Sequence, residues 1–216
     1  MIACGWLPLR HTFSPPLCDS LVTFFVPYYF HETKKNHARF DFDCRFPKMP
    51  SYLRRAAIQH ALGMSRFSAE ELERLLRVNS KIAAENYLRF QDFCSEANKA
   101  LPDLLAYTGI VLRICPQDFT AEDFQYVQDH LRITSFLYGL LRPLDLIKNY
   151  RLEGDVRLPE HEGISMFDYW KPILTDEFIK SIKAQGGTLV NLASNEMKDL
   201  FDWKRIEQHV RVITPE

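Results

Sequence analysis

From Ser51 onward, segments with the 3.6-residue periodicity of a helix alternate with short apolar segments rich in strand-forming residues. Ser51, Ser68 and Thr120 each stand where they can cap a helix, and Glu71 completes a capping box with Ser68. The strand-like segments are LLAYTGIVL, RITSFLYG, TLVNLAS and HVRVIT. Strands separated by helices predict a mixed α/β or α+β domain. The almost wholly helical residues 51–101 predict a helical layer on one side of its sheet.

The composition changes near Pro47, which suggests a boundary. Residues 1–48 are rich in aromatic residues, proline and cysteine and show no sustained period of two or 3.6. Within them, LVTFFVPYYF is compatible with a pair of strands interrupted at Pro27. We therefore predict an atypical segment at 1–48, either disordered or read in a shifted frame, and one domain at 49–216.

Composition argues against several kinds of protein. The chain has 216 residues and a formal net charge of −1, so no overall positive field attracts nucleic acid or an anionic membrane. Its five cysteines contain no C-x-x-C pair, which favours reduced thiols over disulfides or a zinc knuckle. We expect no metal site, no cofactor and no membrane span, because the chain has no H-E-x-x-H, no phosphate-loop or dinucleotide fingerprint and no apolar stretch of about 18 residues. His60 and His130 are predicted to lie on helices, partly buried or facing solvent.

The stretch Ser135–Leu158 concentrates residues that could bind an anion. Gly139 permits a sharp turn after a buried strand, and Arg142 and Asp145 would follow at a strand end, where open α/β sheets place ligand sites. Arg151 and Glu153 continue with the alternate spacing of one face of an extended segment, as does Arg157. The row is either a self-neutralising surface ladder or a cleft wall in which carboxylates hold guanidinium groups for a phosphate.

Two further groups carry the same pair of interpretations. Asn191, Ser194 and Glu196 follow a buried strand, where they either cap a helix or help its amides hold an anion. Arg74, Arg77 and Lys81 have the spacing of one helical face, which is either a solvated surface or a phosphate-contacting stripe.

Three segments together resemble the bacterial peroxide stress protein YaaA family. They are RVNSKIAAENYLRF, HLRITSFLYGLLRPLDLIKNYRLEGDVRL and NLASNEM, and the second is highly specific. The resemblance extends from about Met49 to Glu216.

The resemblance implies a single cytoplasmic domain with a mixed sheet, a helical layer, a basic cleft and a helix-hairpin-helix-like element. It also implies a role in resistance to hydrogen peroxide, in lowering unincorporated iron and in binding DNA, as a duplex or a junction. The residues that match the family's motifs are Arg77, Lys81, Arg89, Tyr138, Gly139, Arg142, Asp145, Tyr150, Arg151, Glu153, Asn191, Ser194 and Glu196, and the resemblance does not fix their individual roles. The residues that we predict to bind DNA or another anion are Arg77, Lys81, Arg89, Tyr138, Arg142, Arg151, Asn191 and Ser194.

Two departures from the family pattern lead to further expectations. The family begins with a short apolar strand and an S-P-A-K-T-like loop, and nothing in residues 1–48 matches that loop or its lysine. The family also continues beyond the position of Glu216 with another strand and a basic helix. We therefore expect the chain to lack a central strand, which would leave unpaired sheet edges.

Three functions remain open from the sequence. The leading hypothesis is a DNA-binding protein of the peroxide stress response. The second is an enzyme acting on a small anionic or nucleotide substrate, with Glu153 or Glu196 as acid or base. The third is a truncated, inactive family member.

Overall fold

The apolar segments LRITS and TLVNL are strands of one mixed sheet in the computed structural model, which describes residues 21–24, 49–96, 98–106, 119–193 and 195–214. The strands among the described residues are β1 (Leu21–Phe24), β2 (Leu101–Pro102), β3 (Leu131–Ser135), β4 (Gly139–Leu141), β5 (Leu146–Ile147), β6 (Thr188–Leu192) and β7 (Arg211–Ile213). The main sheet has the order β4-β3-β1-β6-β7, in which only β4 is antiparallel to its neighbour. Strands β2 and β5 form a separate antiparallel pair.

Strand β1 occupies the centre of the main sheet, so the expectation of a missing central strand is wrong. Val22 pairs with Leu131 of β3 on one side and with Val190 of β6 on the other. Both edges of β1 are therefore used, and the strand comes from the segment before Pro47 that the sequence marks as atypical.

Most of the helices lie where the sequence periodicity predicts them. They are α1 (Ser51–Met64), α2 (Ala69–Leu76), α3 (Ser80–Gln91), α4 (Asp103–Ala106), α5 (Ala121–His130), α6 (Met166–Ala184) and α7 (Trp203–Glu207), with 3-10 turns at Pro159–His161 and Asn195–Leu200. The capping box predicted at Ser68 and the cap predicted at Thr120 are confirmed, since each hydroxyl accepts a hydrogen bond from the backbone amide three residues on. The α+β fold with a mixed sheet and a helical layer is thereby confirmed.

Two local predictions are wrong. Residues 104–106 of the predicted strand LLAYTGIVL are helical in α4, and the remainder from residue 107 lies outside the described residues. Ser51 is the first residue of α1 rather than its cap, because Pro50 takes the N-cap position without a side-chain hydrogen bond.

The core joins α1 and α6 to the connection between β3 and β4. Gly139 has a φ of +88°, and a Cβ there would lie 3.0–3.1 Å from side-chain atoms of Trp170, Leu174 and Leu53. Only glycine combines that backbone angle with such close helix packing.

In the described part of the chain, no helix is long and apolar enough to cross a lipid bilayer.

Candidate functional site

Three side chains hold the tight connection between β3 and β4. Trp170 donates its indole N–H to the Phe136 carbonyl over 2.7 Å, and the Ser135 hydroxyl accepts the Tyr138 amide over 2.8 Å. His60 Nδ1 lies 3.0 Å from the Leu137 carbonyl. A carbonyl can only accept, so Nδ1 carries the proton in this contact. The connection is therefore fixed from α1, α6 and β3 together.

His60 is fully buried, so its predicted position as a partly buried or solvent-facing residue is wrong. Its ring makes edge-to-face contacts with His161, Tyr169 and Trp170 at centroid distances of 4.9, 4.9 and 5.4 Å. Burial, and to a lesser extent the neighbouring His161, lowers the pKa of His60 to about 4, although the hydrogen bond to Leu137 acts in the opposite direction. His60 is therefore a neutral core residue at physiological pH.

Tyr138 and Tyr150 form a buried pair beside this connection. Their rings are 5.7 Å apart, and the Tyr150 hydroxyl lies 2.6 Å from the Ser135 hydroxyl. The Tyr138 hydroxyl accepts the Lys148 amide over 2.9 Å. Only 5% of Tyr138 is exposed, so this predicted binding residue supports the loop from inside.

Arg142 and Asp145 face each other at the end of β4, as their sequence position suggests. Asp145 Oδ1 accepts from Arg142 Nη2 over 2.8 Å, while Oδ2 accepts the Arg142 amide over 2.9 Å. The Asp145 side chain is 1% exposed and that of Arg142 is 20% exposed. This is a buried, multiply bonded ion pair, which defines the geometry of the R-P-L-D turn.

Asp103 and Arg132 belong to the same region, and sequence reasoning missed both. The Asp103 amide donates to the Asp145 carbonyl over 2.9 Å, and its carboxyl group is fully buried. Burial, followed by the negative charge of Asp145, raises the pKa of Asp103 well above its usual value. Burial, followed by the nearby Arg142, lowers the pKa of Arg132 to about 10. No motif marks either residue, because Asp103 on α4 and Arg132 on β3 approach the Arg142–Asp145 turn only in the folded structure.

Arg77 does not lie on a helical face, so the predicted stripe Arg74–Arg77–Lys81 is wrong. Arg77 follows α2 in the left-handed backbone region, with a φ of 52°. Three residues, 77–79, turn the chain into α3, where the Asn79 side chain accepts the Ile82 amide over 2.9 Å. Arg77 and Lys81 are thus exposed at the tip of a helical hairpin rather than along one helix.

The hairpin tip contacts the loop at residues 151–157, which belongs to the stretch Ser135–Leu158. Arg77 forms a salt bridge with Asp155. Two residues earlier, Glu153 accepts a hydrogen bond of 3.0 Å from Arg151, and both side chains are largely buried. The Arg151–Glu153 contact fits a structural pair as well as a positioned acid, so an enzymatic role for Glu153 stays a prediction.

Asn191 and Arg142 occupy the same register position across the strands of the main sheet. Thr23 pairs with Arg132 on one side and Asn191 on the other, and continuing the β3–β4 register by one residue places Arg142 opposite Arg132. The Asn191 side chain accepts the Ala193 amide over 3.1 Å.

The predicted residues thus fall into two groups, one at Arg142 and Asn191 in the main sheet and one around Tyr150 and Arg151. Arg142 and Asn191 share one register position of the sheet, whereas Tyr150, which precedes Arg151, is bound to Ser135 at the far end of β3. Arg89 lies in the last turn of α3, 3.7 Å from Glu85. Glu196 is in the second 3-10 turn, and Ser194 lies outside the described residues. A single anion-binding hollow that unites the two groups stays a prediction.

Comparisons of the chain with known proteins agree on one family. The family model described as "Peroxide stress protein YaaA" matches residues 32–216. A UPF0246 protein of Phocaeicola vulgatus is 81% identical over 161 residues, which is 74% of this chain and 63% of that protein. UPF0246 proteins of Bacteroides fragilis and Porphyromonas gingivalis are 69% and 50% identical, over 76% and 72% of this chain and 64% and 61% of theirs. The chain thus spans less than two thirds of the length of these curated relatives.

Proposed function

The chain belongs to the peroxide stress protein YaaA family, and from that premise we propose that it binds DNA through the hairpin formed by α2 and α3 and that it lowers free intracellular iron during peroxide stress. The observation that carries the DNA-binding part is the geometry of the hairpin tip. Two helices joined by three residues present Arg77 and Lys81, which are four positions apart in sequence and both exposed.

The beginning of α3 supplies donors as well as charge. The Asn79 side chain and carbonyl already accept the amides of Ile82 and Ala83. The amides of Ser80 and Lys81 precede the first hydrogen bond of the helix, and the helix dipole adds partial positive charge there. A phosphate at this end would meet backbone amides, the Lys81 ammonium and the Arg77 guanidinium together.

This arrangement suits the sugar–phosphate backbone more than a base edge. The hairpin tip offers cations and amides, which read charge and position rather than sequence. It also reconciles DNA binding with a net charge of −1, because the basic groups need to be concentrated only locally.

We expect the double variant Arg77→Gln/Lys81→Gln to bind DNA about tenfold more weakly than the wild-type chain at moderate salt, because two phosphate contacts are lost. The measurement is fluorescence anisotropy with a labelled duplex and a labelled four-way junction, repeated over a range of salt concentrations. The slope of log affinity against log salt should fall by about two, one for each contact.

The matched control is Lys183→Gln/Lys204→Gln, which removes two exposed lysines from α6 and α7 and leaves the hairpin intact. It should bind within about twofold of wild type if position rather than total charge matters. DNA binding through the hairpin is contradicted if the two double variants behave alike, or if wild-type affinity does not change with salt.

The iron part of the proposal rests on the family alone. Ferrous iron reduces hydrogen peroxide to hydroxyl radicals that damage DNA, so a protein that lowers free iron would protect the polymer it binds. We expect cells that contain the chain to hold less chelatable iron after peroxide exposure than cells without it, as measured by electron paramagnetic resonance of the ferric chelate. Equal iron in both would contradict this part without affecting the DNA-binding test.

A further inference from the structure

The salt bridge between Arg77 and Asp155 joins the hairpin tip to the loop at 151–157. Resting on the proposed function, we propose that Asp155 is an autoinhibitory partner of Arg77, which a DNA phosphate must displace before the guanidinium can bind it. The side chains of Arg77 and Asp155 are 74% and 48% exposed, so an approaching phosphate has access to the pair.

The loop holds Asp155 in place independently of Arg77. The Gly154 carbonyl accepts the Phe167 amide, and the Val156 carbonyl accepts the Met166 amide, each over 3.1 Å. Val156 is buried, and a Cβ at Gly154 would overlap the rings of Phe167 and Phe136. Asp155 is therefore the exposed residue between two anchored neighbours.

The hairpin holds Arg77 in the same way. Its amide and that of Val78 donate to the Glu73 carbonyl, which ends α2 in a defined left-handed turn. Since both backbones are fixed by other contacts, forming the pair orders only the two side chains. Forming this pair therefore costs less conformational entropy than forming an ion pair between two residues on flexible backbone.

Asp155 opposes DNA binding in two separable ways. Its carboxylate occupies the guanidinium that would bind a phosphate, and its charge repels phosphates near the hairpin. Competition requires Arg77, whereas repulsion does not. A variant pair can therefore distinguish masking from simple repulsion.

We expect Asp155→Asn to tighten DNA binding roughly two- to fivefold at 0.1 M salt, which is the range expected for losing an exposed ion pair. Anisotropy with the same labelled duplex measures it, and a thermal melt confirms that the variant is folded. The matched control is Asp176→Asn, because Asp176 forms a comparable pair with Arg205 at 2.7 Å in which both side chains are 49% exposed. This control should change affinity by less than the Asp155 variant.

The decisive comparison repeats the change in the Arg77→Gln background. If Asp155 masks Arg77, then Asp155→Asn has a much smaller effect once Arg77 is absent. An equal gain in both backgrounds, or an equal gain from Asp176→Asn, overturns masking and leaves only charge repulsion. If DNA binding is salt-dependent but Asp155→Asn gives no gain, masking alone fails. If no variant binds DNA, the proposed function fails and the inference with it.

Discussion

Trp170→Ala is expected to lower the free energy of unfolding by about 3–5 kcal/mol, the range for deleting a large buried aromatic side chain. Trp170 is fully buried and packs against His60 and Tyr169. Its indole is also the donor to the Phe136 carbonyl, so truncation leaves that buried carbonyl without this hydrogen bond. Urea denaturation followed by intrinsic fluorescence and circular dichroism measures the change.

Two further variants separate packing from hydrogen bonding. Trp170→Phe keeps much of the ring but loses the N–H, and it should cost about 1–3 kcal/mol. Trp203→Ala removes a tryptophan that is only partly buried and whose indole nitrogen has no hydrogen-bond partner among the described residues, so we expect a smaller loss than at Trp170. A loss below about 1.5 kcal/mol for Trp170→Ala would contradict the anchoring of β3–β4 by α6.

The second large effect is a loss of stability in mild acid that comes from His60. Burial lowers the pKa of His60 to about 4 in the folded chain, whereas an unfolded histidine has a pKa of about 6.5. Between these values the unfolded state binds the additional proton, so stability rises with pH. The contribution is complete above about pH 6.5 and falls by about 3 kcal/mol as the pH drops to 4.

His60→Asn should remove most of this dependence, because the asparagine amide can still donate towards Leu137 but does not titrate. The variant will be less stable than wild type at pH 8, and the difference should shrink as the pH falls to 4. The measurement is the free energy of unfolding from urea melts at several pH values. Asp103, whose raised pKa makes it favour low pH instead, is present in both proteins and cancels in the comparison.

His209→Asn is the matched control for this experiment. His209 is exposed and lies just after α7, where its Nδ1 contacts the Arg205 carbonyl over 2.8 Å. Its replacement should leave the acid sensitivity that comes from His60 in place. A His60→Asn profile parallel to wild type between pH 6.5 and 4 would refute the assignment of the acid sensitivity to His60.

Local chemistry was the most predictable part of the fold. The capping box at Ser68 and the cap at Thr120 depend on residues three positions apart, and both form as expected. The pairing of Arg142 with Asp145 and of Arg151 with Glu153 likewise joins residues within three positions of each other. These contacts need only a local backbone conformation, which the residue types themselves favour.

Errors arose where distant segments decide the outcome. β1 is central because its two edges are used by β3 and β6, although its flanking residues carry no clear period. The misplacement of Arg77 is an exception with a local cause, because α2 ends at Leu76 and Arg77 adopts the left-handed conformation after it. The burial of His60 depends on residues about 80 to 110 positions away, namely Leu137, His161 and Trp170.

The amino-acid sequence by itself therefore determined the helix caps, the alternation of helices with strands, the family and the short-range arginine–carboxylate pairs, because each depends on neighbouring residues or on the order of motifs along the chain. Only the tertiary structure decided that Asp155 meets Arg77, that Asp103 is buried beside Asp145, and that His60 holds Leu137. Those contacts join segments far apart in the chain, and their free energy comes from packing and desolvation that no local pattern records.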